Sequence, residues 1–413
     1  MKFFIFIFLF LPALNLYSLT LNQAINLAIK YNPQLNQSEI QVKIQKKRTT
    51  QVKATQFGEI DALSMFNKYD ADRTLQPLDR HHLSDTIFSI GAQYEVPIFT
   101  GFEITENIKI SKLSEKLFNI SKNLTKNQII FNVKSIFFEI LSLQKQLQAM
   151  YDYKASLLRL LKDVNLMVQT GKKPEVDLYK IQYDVKSVDA VIEKLKSGIN
   201  TLKVALKEVI GKPDLKIANI QDINLTKNFK PQNIGIENLA SIKKVETKKK
   251  IAEENIKKSK SAYFPYVYLK ANSFENYGDG DDINIWNISL NLKFDIFDFG
   301  KRKANVQEAE LEKQKVEFEK TQIKLKKQKE ITDAINRIKT EEANIVAYKN
   351  QVKFAKESER IEKLKYTQGV SQIYDYLYAK SRRYLAESRY FSALYKREQA
   401  IAYYDYVIEK YAK

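Results

Sequence analysis

Two kinds of hydrophobic pattern alternate along the chain. In four short segments, of which the first, near Ile60 to Phe66, is the weakest, apolar and polar residues alternate with a period of two. This pattern is typical of β-strands with one apolar and one polar face. The clearest segment begins at Trp286, and every second residue from there to Ile296 is apolar. Between these segments apolar residues recur every three or four positions, as in Leu113, Leu117 and Ile120. This spacing predicts long helices that pack as coiled coils.

The same order of elements occurs twice. The change from strand to helix at Phe99 matches the change at Phe297, 198 residues later, and at the same offset Gly171 meets Gly369. No insertion or deletion separates these positions, as expected for two helices of equal length. An upstream match, between "KATQFGEI" and "KSAYFPYV", has an offset of 207 residues. The two halves therefore differ in length within the hairpin loop, where length is free to vary.

Each half predicts a helix, a β-hairpin, a long helix, a glycine turn and a returning helix. A long helix of about 68 residues is roughly 100 Å long at 1.5 Å per residue, a length suited to spanning a gap or walling a tunnel. The predicted organisation begins with a signal peptide at 1–18. The first repeat, at 19–210, has a hairpin at about 59–99, a long helix at about 103–170 and a returning helix at about 174–209. After a connector at 211–235, the second repeat, at 236–413, has a hairpin at about 265–297, a long helix at about 301–367 and a returning helix at about 372–411.

The N-terminal segment has the character of an export signal. It carries one lysine and an apolar run from Phe3 to Leu14, followed by polar residues near Ser18. A run of this length is too short for a membrane-spanning helix and typical of a signal peptide. We expect cleavage near Ser18 and an exported protein without a transmembrane helix, which would be periplasmic, secreted or inserted in a membrane as strands.

Two features favour a membrane location for the strands. They are about ten residues long or slightly longer, enough to cross a bilayer when tilted. Aromatic residues lie near their ends, at Phe66, Phe88, Phe99, Trp286 and Phe297, where an interfacial girdle would lie. Four strands cannot close a barrel and open edges are not tolerated in lipid, so a membrane barrel would need several chains. A soluble sheet with one buried face gives the same alternation.

Composition narrows the chemistry. The chain has no cysteine and two histidines, the adjacent His81 and His82 in the long hairpin loop, whereas a metal site needs ligands from several elements. The segment "GDGDD" at 278–282 lacks the spacing of a calcium-binding loop. No catalytic motif is present. We therefore expect no enzymatic activity, cofactor or metal. The formal charge of +19 is spread along amphipathic helices and mixed with glutamate, which indicates solvated helix faces.

A family resemblance is carried by several motifs in a fixed order. They are the opening "LTLNQAINLAIKYNPQL", the two strand-to-helix changes "VPIFTGF" and "FDIFDFG", and two glycine turns each followed six residues later by an aspartate, Asp177 and Asp375. With these motifs the chain resembles the TolC-type outer-membrane efflux proteins, the outer-membrane factors of tripartite efflux and type I secretion systems. The resemblance covers nearly all of the mature chain.

The resemblance implies an α+β membrane protein that forms a homotrimer. Each chain would give four β-strands to one shared twelve-stranded β-barrel in the outer membrane of a Gram-negative cell. The barrel would continue into a long α-helical coiled-coil tunnel across the periplasm, built from the two internal repeats. The barrel-to-tunnel transition would fall at Pro97, Phe99 and Gly101 in the first repeat and at Phe297 and Gly300 in the second.

The resemblance also implies a passive exit duct. Its turn tips, at Gly171, Asp177, Gly369 and Asp375, would dock a periplasmic adaptor (a membrane fusion protein), itself joined to an inner-membrane pump or ABC transporter. Members of the family often carry two acidic residues three positions apart at the narrow end of the tunnel. Here Asp375 matches the first and Tyr378 replaces the second. These two residues are the predicted constriction and gate, and three Asp375 carboxylates would attract cations.

Other interpretations of the same residues remain open. Asp177 and Asp375 also suit the first turn of a helix, which favours carboxylates, and the two glycines suit any tight helix turn. The alternative interpretation is a periplasmic coiled-coil scaffold or adaptor that does not enter the membrane. A basic nucleic-acid-binding coiled coil is a weaker alternative, because the export signal argues against a nucleic-acid partner. The cargo is not indicated by the sequence.

Overall fold

The computed structural model describes residues 18–74, 83–226, 229–232, 234–278 and 281–412. This part of the chain is mostly helical with one four-stranded antiparallel sheet, which confirms the predicted mixture of long helices and a few strands. The helices are α1 (Leu21–Tyr31), α2 (Pro33–Ala54), α3 (Glu103–Gln169), α4 (Val176–Ile210), α5 (Ala240–Lys260), α6 (Lys301–Thr367) and α7 (Ile373–Val407). The strands are β1 (Glu59–Thr74), β2 (Leu83–Thr100), β3 (Tyr266–Gly278) and β4 (Asp281–Lys293).

None of these helices, over the described ranges, combines the length and apolar character needed to cross a membrane. Most of the predicted signal segment, both histidines and the centre of "GDGDD" lie outside the described residues. The predictions made for them stay predictions.

The chain forms two compact units, each of which takes segments from both predicted repeats. The sheet unit contains residues 38–122 and 236–325 with all four strands, and the helical unit contains the described residues of 18–37, 123–235 and 326–412. Helices α2, α3 and α6 contribute residues to both units. Packing thus groups matching parts of the two predicted repeats together. The predicted division into consecutive repeats stays a prediction.

The sheet has the strand order β1-β2-β3-β4, and all neighbours are antiparallel. Phe88 pairs with Phe66 on one side and Tyr277 on the other, and Leu269 pairs with Leu290. Residues that pair across strands share a face, so this register places Phe66, Phe88, Leu269 and Leu290 on the same face of the sheet.

Strand β4 ends earlier than the alternation predicts. The second hairpin is predicted to reach residue 297, but β4 ends at Lys293, which pairs with Tyr266, the first residue of β3. Pro265 precedes that residue and has no N–H group to continue a ladder. Residues 294–297 therefore lie beyond the last partner that the chain's own sheet offers to β4.

Opposite charges connect the helices of the sheet unit. Lys248 and Lys249 of α5 contact Glu319 and Glu317 of α6, at 2.6 and 2.8 Å. In the reverse sense Lys320 of α6 contacts a glutamate of α5 at 2.9 Å. These pairs place part of the lysine excess on mutually compensating helix faces, as expected for the solvated flanks of a coiled coil.

The helical unit has a core that joins its first helix to the others. Ala24 and Ala28 of α1 are buried in one cluster with Phe137 of α3 and Leu206 of α4. The buried side chain of Asn32 follows α1 and donates from Nδ2 to the carbonyl oxygen of Val209 at 2.7 Å. The small alanine side chains permit close packing of α1, and the amide satisfies a backbone group at the end of α4.

The described residues of the predicted connector at 211–235 are part of the helical unit. Ile220 forms a parallel β-bridge with Leu19, in which the N–H of Leu19 donates to the oxygen of Asn219 at 2.9 Å. Farther along, the hydroxyl of Tyr404 donates to the oxygen of Gln232 at 3.0 Å. The connector is therefore held by a backbone–backbone hydrogen bond at the first point and by a side-chain hydroxyl at the second.

Candidate functional site at the two glycine turns

The two glycine turns, both in the helical unit, have the same backbone. Gly171 and Gly369 have φ values of +72° and +77°. The N–H of Gly171 donates to the oxygen of Val168, and the next N–H donates to Met167, at 2.9 and 2.8 Å. Gly369 and its successor repeat this pattern at 3.1 and 2.9 Å. This is the Schellman arrangement, which satisfies the last carbonyls of a helix and needs a left-handed residue. Both glycines are thus required by the turn itself.

The aspartates that follow the turns lie in different environments. Asp177, in the first turn of α4, is 6% exposed, and one carboxylate oxygen accepts a hydrogen bond from the hydroxyl of Tyr366 at 3.2 Å. Asp375, in the first turn of α7, is exposed. No partner for its carboxylate is seen within the described part of the chain. Both suit a helix N-terminus, but Asp177 also links two helices.

Tyr366 connects the two turns. It lies in the last turn of α6, is 2% exposed, and donates to Asp177 of α4. Lys173, in the first turn, donates from Nζ to the oxygen of Tyr366 at 3.2 Å and lies 4.1 Å from the centre of its ring. Burial, followed by the Asp177 carboxylate, raises the pKa of Tyr366. The phenol is therefore held as a hydrogen-bond donor at neutral pH.

A buried charge network lies next to this contact. The ring of Tyr376 stacks on that of Tyr366 with centroids 6.0 Å apart, and its hydroxyl accepts a hydrogen bond from Lys380 at 3.2 Å. Glu359 accepts hydrogen bonds from Lys380 at 3.2 Å and from Arg383 at 2.9 Å. Removing Glu359 would leave the buried Lys380 without its carboxylate partner, so this network favours the packing of α6 against α7.

The predicted gate residues lie on an open face of α7. Tyr378 is 55% exposed, and its ring is parallel to that of Tyr374 at 6.2 Å. These two tyrosines, with Tyr179 and Tyr183 of α4, line a groove with a volume of about 470 Å³. Asp375 is one residue from this groove and three residues from Tyr378. The chain thus presents an aromatic and acidic surface at the turn end of α7.

The strand-to-helix residues occupy two similar junctions in the sheet unit. Pro97 and Phe99 pair with β3 as part of β2, which continues to Thr100, and Gly101 then has φ +59°. In the second junction Phe297 follows the end of β4 and is 73% exposed, and Gly300 has φ +89°. The structure therefore pairs Pro97 and Phe99 of the first junction within the sheet and leaves Phe297 of the second junction outside it.

Sequence reasoning missed three residues of this site: Tyr366, Lys173 and Glu359. Tyr366 is one of 24 tyrosines, and its repeat mate at an offset of 198 is Val168, so neither composition nor repetition marks it. Within the described residues no group of three or more histidine, cysteine, aspartate or glutamate side chains is placed to hold a metal ion.

Comparison with known families gives one match. Residues 235–402 match the model of the family described as outer membrane efflux protein, and the resemblance predicted from the sequence is confirmed. The matched segment spans 168 of the 413 residues, almost all of them in the second predicted repeat. A comparison with curated proteins found no match.

Solved structures of low sequence identity share the fold. A membrane protein from Pseudomonas aeruginosa has a TM-score of 0.82 at 16% identity, covering 94% of this chain and 90% of its own. The outer membrane protein VceC from Vibrio cholerae has a TM-score of 0.80 at 15% identity, and the match covers 94% of this chain and 96% of VceC. The outer membrane channel CmeC from Campylobacter jejuni has a TM-score of 0.81 at 18% identity, and the match covers 94% of this chain and 85% of CmeC.

Proposed function

We propose that this protein is the outer-membrane exit duct of a tripartite efflux or type I secretion system. It would act as a homotrimer whose four strands per chain form one shared barrel, with the helices in the periplasm. A periplasmic adaptor would dock at the turn tips and connect the duct to an inner-membrane pump or ABC transporter. Transport energy comes from that pump, and this chain supplies the conduit and its gate.

The exposed apolar face of the sheet carries the proposal. Ile288, Leu290 and Leu292 of β4 are 65%, 69% and 68% exposed, and Trp286 on the same face is 70% exposed. The alternating residues Ser289 and those at 287 and 291 are polar. A contiguous apolar face of this kind is costly in water and stable in lipid. The scaffold alternative would instead bury this face within a soluble domain.

Detergent extraction tests the proposal. We expect the protein in the membrane fraction, released only by detergent, with a mass of the purified complex that corresponds to three chains plus bound detergent. The complex should form ion-conducting pores in a planar bilayer. A monomer or dimer that stays in solution without detergent would contradict the duct and support the periplasmic scaffold.

The gate is proposed at the contacts between the two turns. In the described state Tyr366 ties α6 to Asp177 of α4, and Lys173 adds a second link to the same tyrosine. Opening would separate these helices, and an adaptor that binds the separated state more tightly would shift the population towards it. Asp375 and Tyr378 would then set the charge and width of the passage.

A further inference from the structure

The two junctions between strand and helix share a backbone conformation but not their surroundings. Gly101 and Phe102 have φ values of +59° and +70°, and Phe299 and Gly300, 198 residues later, have +55° and +89°. Two consecutive residues with positive φ are uncommon when one of them is not glycine. The conformation therefore occurs at matching places in the two repeats, and the neighbours of each junction can be compared directly.

The first junction packs its aromatic residues within the chain. Phe99 and Phe102 lie edge-to-face with Phe264, with ring centroids 6.4 and 5.9 Å apart. In the second junction Phe297 and Phe299 contact each other at 4.7 Å and are 73% and 91% exposed. The second pair lacks, among the described residues, the aromatic partner that the first pair has.

Phe264, the aromatic partner in the first junction, has a counterpart in the other repeat, and that counterpart lies next to the opposite edge of the sheet. At the offset of 207, Phe264 corresponds to Phe57, which lies two residues before β1 and is 66% exposed. β1 and β4 are the two edge strands. The inner strands β2 and β3 therefore provide a template within one chain for how β4 would meet β1 of another chain.

We propose that β4 of one copy pairs antiparallel with β1 of a second copy in the register that β2 and β3 adopt, so that Asn291 faces Met65 and Phe297 packs on Phe57 of that copy. The proposal rests on the shared barrel proposed above and specifies its seam. Within the chain Gln93 pairs with Asn272 and Glu95 with Lys270. Transferred by the two offsets, these pairs become Asn291 with Met65 and Lys293 with Leu63.

The faces of the two edge strands give an independent check. Phe66 lies on the apolar face because it pairs with Phe88, and Leu290 lies on that face because it pairs with Leu269. The transferred register sets Leu290 opposite Phe66, so the apolar face continues across the seam. A slip of one residue would turn the face of one strand over.

The early end of β4 agrees with the same seam. β4 ends opposite Tyr266 at Lys293, whereas its repeat mate β2 continues to Thr100. In the proposed register, with the irregularity that the template shows between Pro97 and Phe99, residues 294–297 would face positions 62–60 of the second copy. These positions are on the outer edge of β1, which is unpaired in the chain's own sheet.

One detail of the template cannot be copied. A Cβ atom at Gly101 would lie 2.4 Å from the oxygen of Ser261, and the matching position 299 carries phenylalanine. Within the chain, Gly101 lies close to the segment that precedes β3. In the proposed seam, position 299 of one copy must lie farther from the matching segment of the second copy, because it carries a side chain. The strand register before the junction is independent of this difference.

The absence of native cysteine makes disulfide cross-linking a direct test. A chain with Asn291→Cys and Met65→Cys carries both partners of the seam. Within one chain the two edge strands are three strand spacings apart, roughly 14 Å, beyond the reach of a disulfide. A second variant, with Leu290→Cys and Phe66→Cys, probes the other face, because successive cross-strand pairs differ in geometry. Matched controls pair Asn291→Cys with Leu63→Cys or with Asn67→Cys, two residues out of register.

We expect mild oxidation to give covalent trimers about tenfold faster with an in-register pair than with the out-of-register pairs, and only monomers with single cysteines. Faster cross-linking of an out-of-register pair, or no cross-linking in a complex whose mass is that of a trimer, would overturn the register and leave the duct intact. A monomeric mass in detergent would overturn the shared barrel as well.

The aromatic contact has its own test. Phe57→Ala and Phe297→Ala should each lower the temperature at which the trimer dissociates, and the double variant should lose less than the two single losses added together. Such non-additivity is the mark of residues in contact. Phe318→Ala, on the exposed face of α6 (76% exposed), should combine additively with Phe297→Ala. Additive losses for Phe57 and Phe297 would refute their contact.

Discussion

The turns at Gly171 and Gly369 close their helices with the same two hydrogen bonds, yet the aspartates that follow them have different roles in packing. Asp177 is buried and accepts a hydrogen bond from the hydroxyl of Tyr366, whereas Asp375 of α7 is exposed to solvent. The repeat preserves the backbone of the turn because only a left-handed residue makes it. It does not preserve the side-chain partners, which depend on the helix that packs alongside.

The different surroundings of the two aspartates indicate that the two glycine turns have different roles, although both turns carry the same sequence motif. The first turn supplies a contact that holds helices together, through Asp177, Lys173 and Tyr366. The second turn begins a helix whose exposed face carries Asp375 and Tyr378. We therefore expect changes at the first turn to affect stability and opening, and changes on α7 to affect which ions pass.

The largest difference in stability should come from the two aspartates. Asp177→Ala leaves the buried hydroxyl of Tyr366 without its acceptor, a loss of about 1–3 kcal/mol. Asp375→Ala removes an exposed carboxylate at a helix N-terminus, worth about 0.3–1 kcal/mol. The thermal unfolding midpoint of the purified complex should fall clearly further for Asp177→Ala. Equal shifts would mean that both residues act only on the helix ends.

A smaller and symmetrical effect is expected at the glycines. Gly171→Ala and Gly369→Ala each force a Cβ atom into a left-handed conformation, at a cost of about 1–2 kcal/mol. No atom lies within 4 Å of the added Cβ at either position, so the strain should be alike. Thermal unfolding of the two variants checks this expectation. A much larger loss at one turn would reveal a contact that the backbone comparison does not contain.

The smallest effect should be on ion selectivity. Asp375→Asn removes a negative charge from the exposed face of α7, and the cation preference of the pore should fall by about twofold. Reversal potentials in a salt gradient across a planar bilayer measure this preference. Asp333→Asn, an exposed aspartate of α6, is the matched control and should leave it unchanged. If both variants match the native protein, the selective constriction lies elsewhere.

Much of the local structure follows from sequence pattern. Period-two alternation indicated three strands clearly and the first strand only weakly, and the glycines indicated the left-handed turns, because both signals depend on neighbouring residues. The end of β4 at Lys293 was not predictable from alternation, since it is set by where β3 begins. The partner of Asp177 was not predictable either, because Tyr366 lies 189 residues away and carries no repeat signal.

The most direct test of the proposed gate is the conductance of the Tyr366→Phe variant in a planar bilayer. The substitution keeps the ring that packs beside Lys173 and Tyr376 and removes only the hydroxyl bonded to Asp177. Tyr374→Phe, which removes a hydroxyl from a tyrosine that is 61% exposed, is the control. We expect the open fraction to rise by about tenfold for Tyr366→Phe and to stay at the native level for Tyr374→Phe. An open fraction for Tyr366→Phe equal to that of the control would contradict a gate held by this contact.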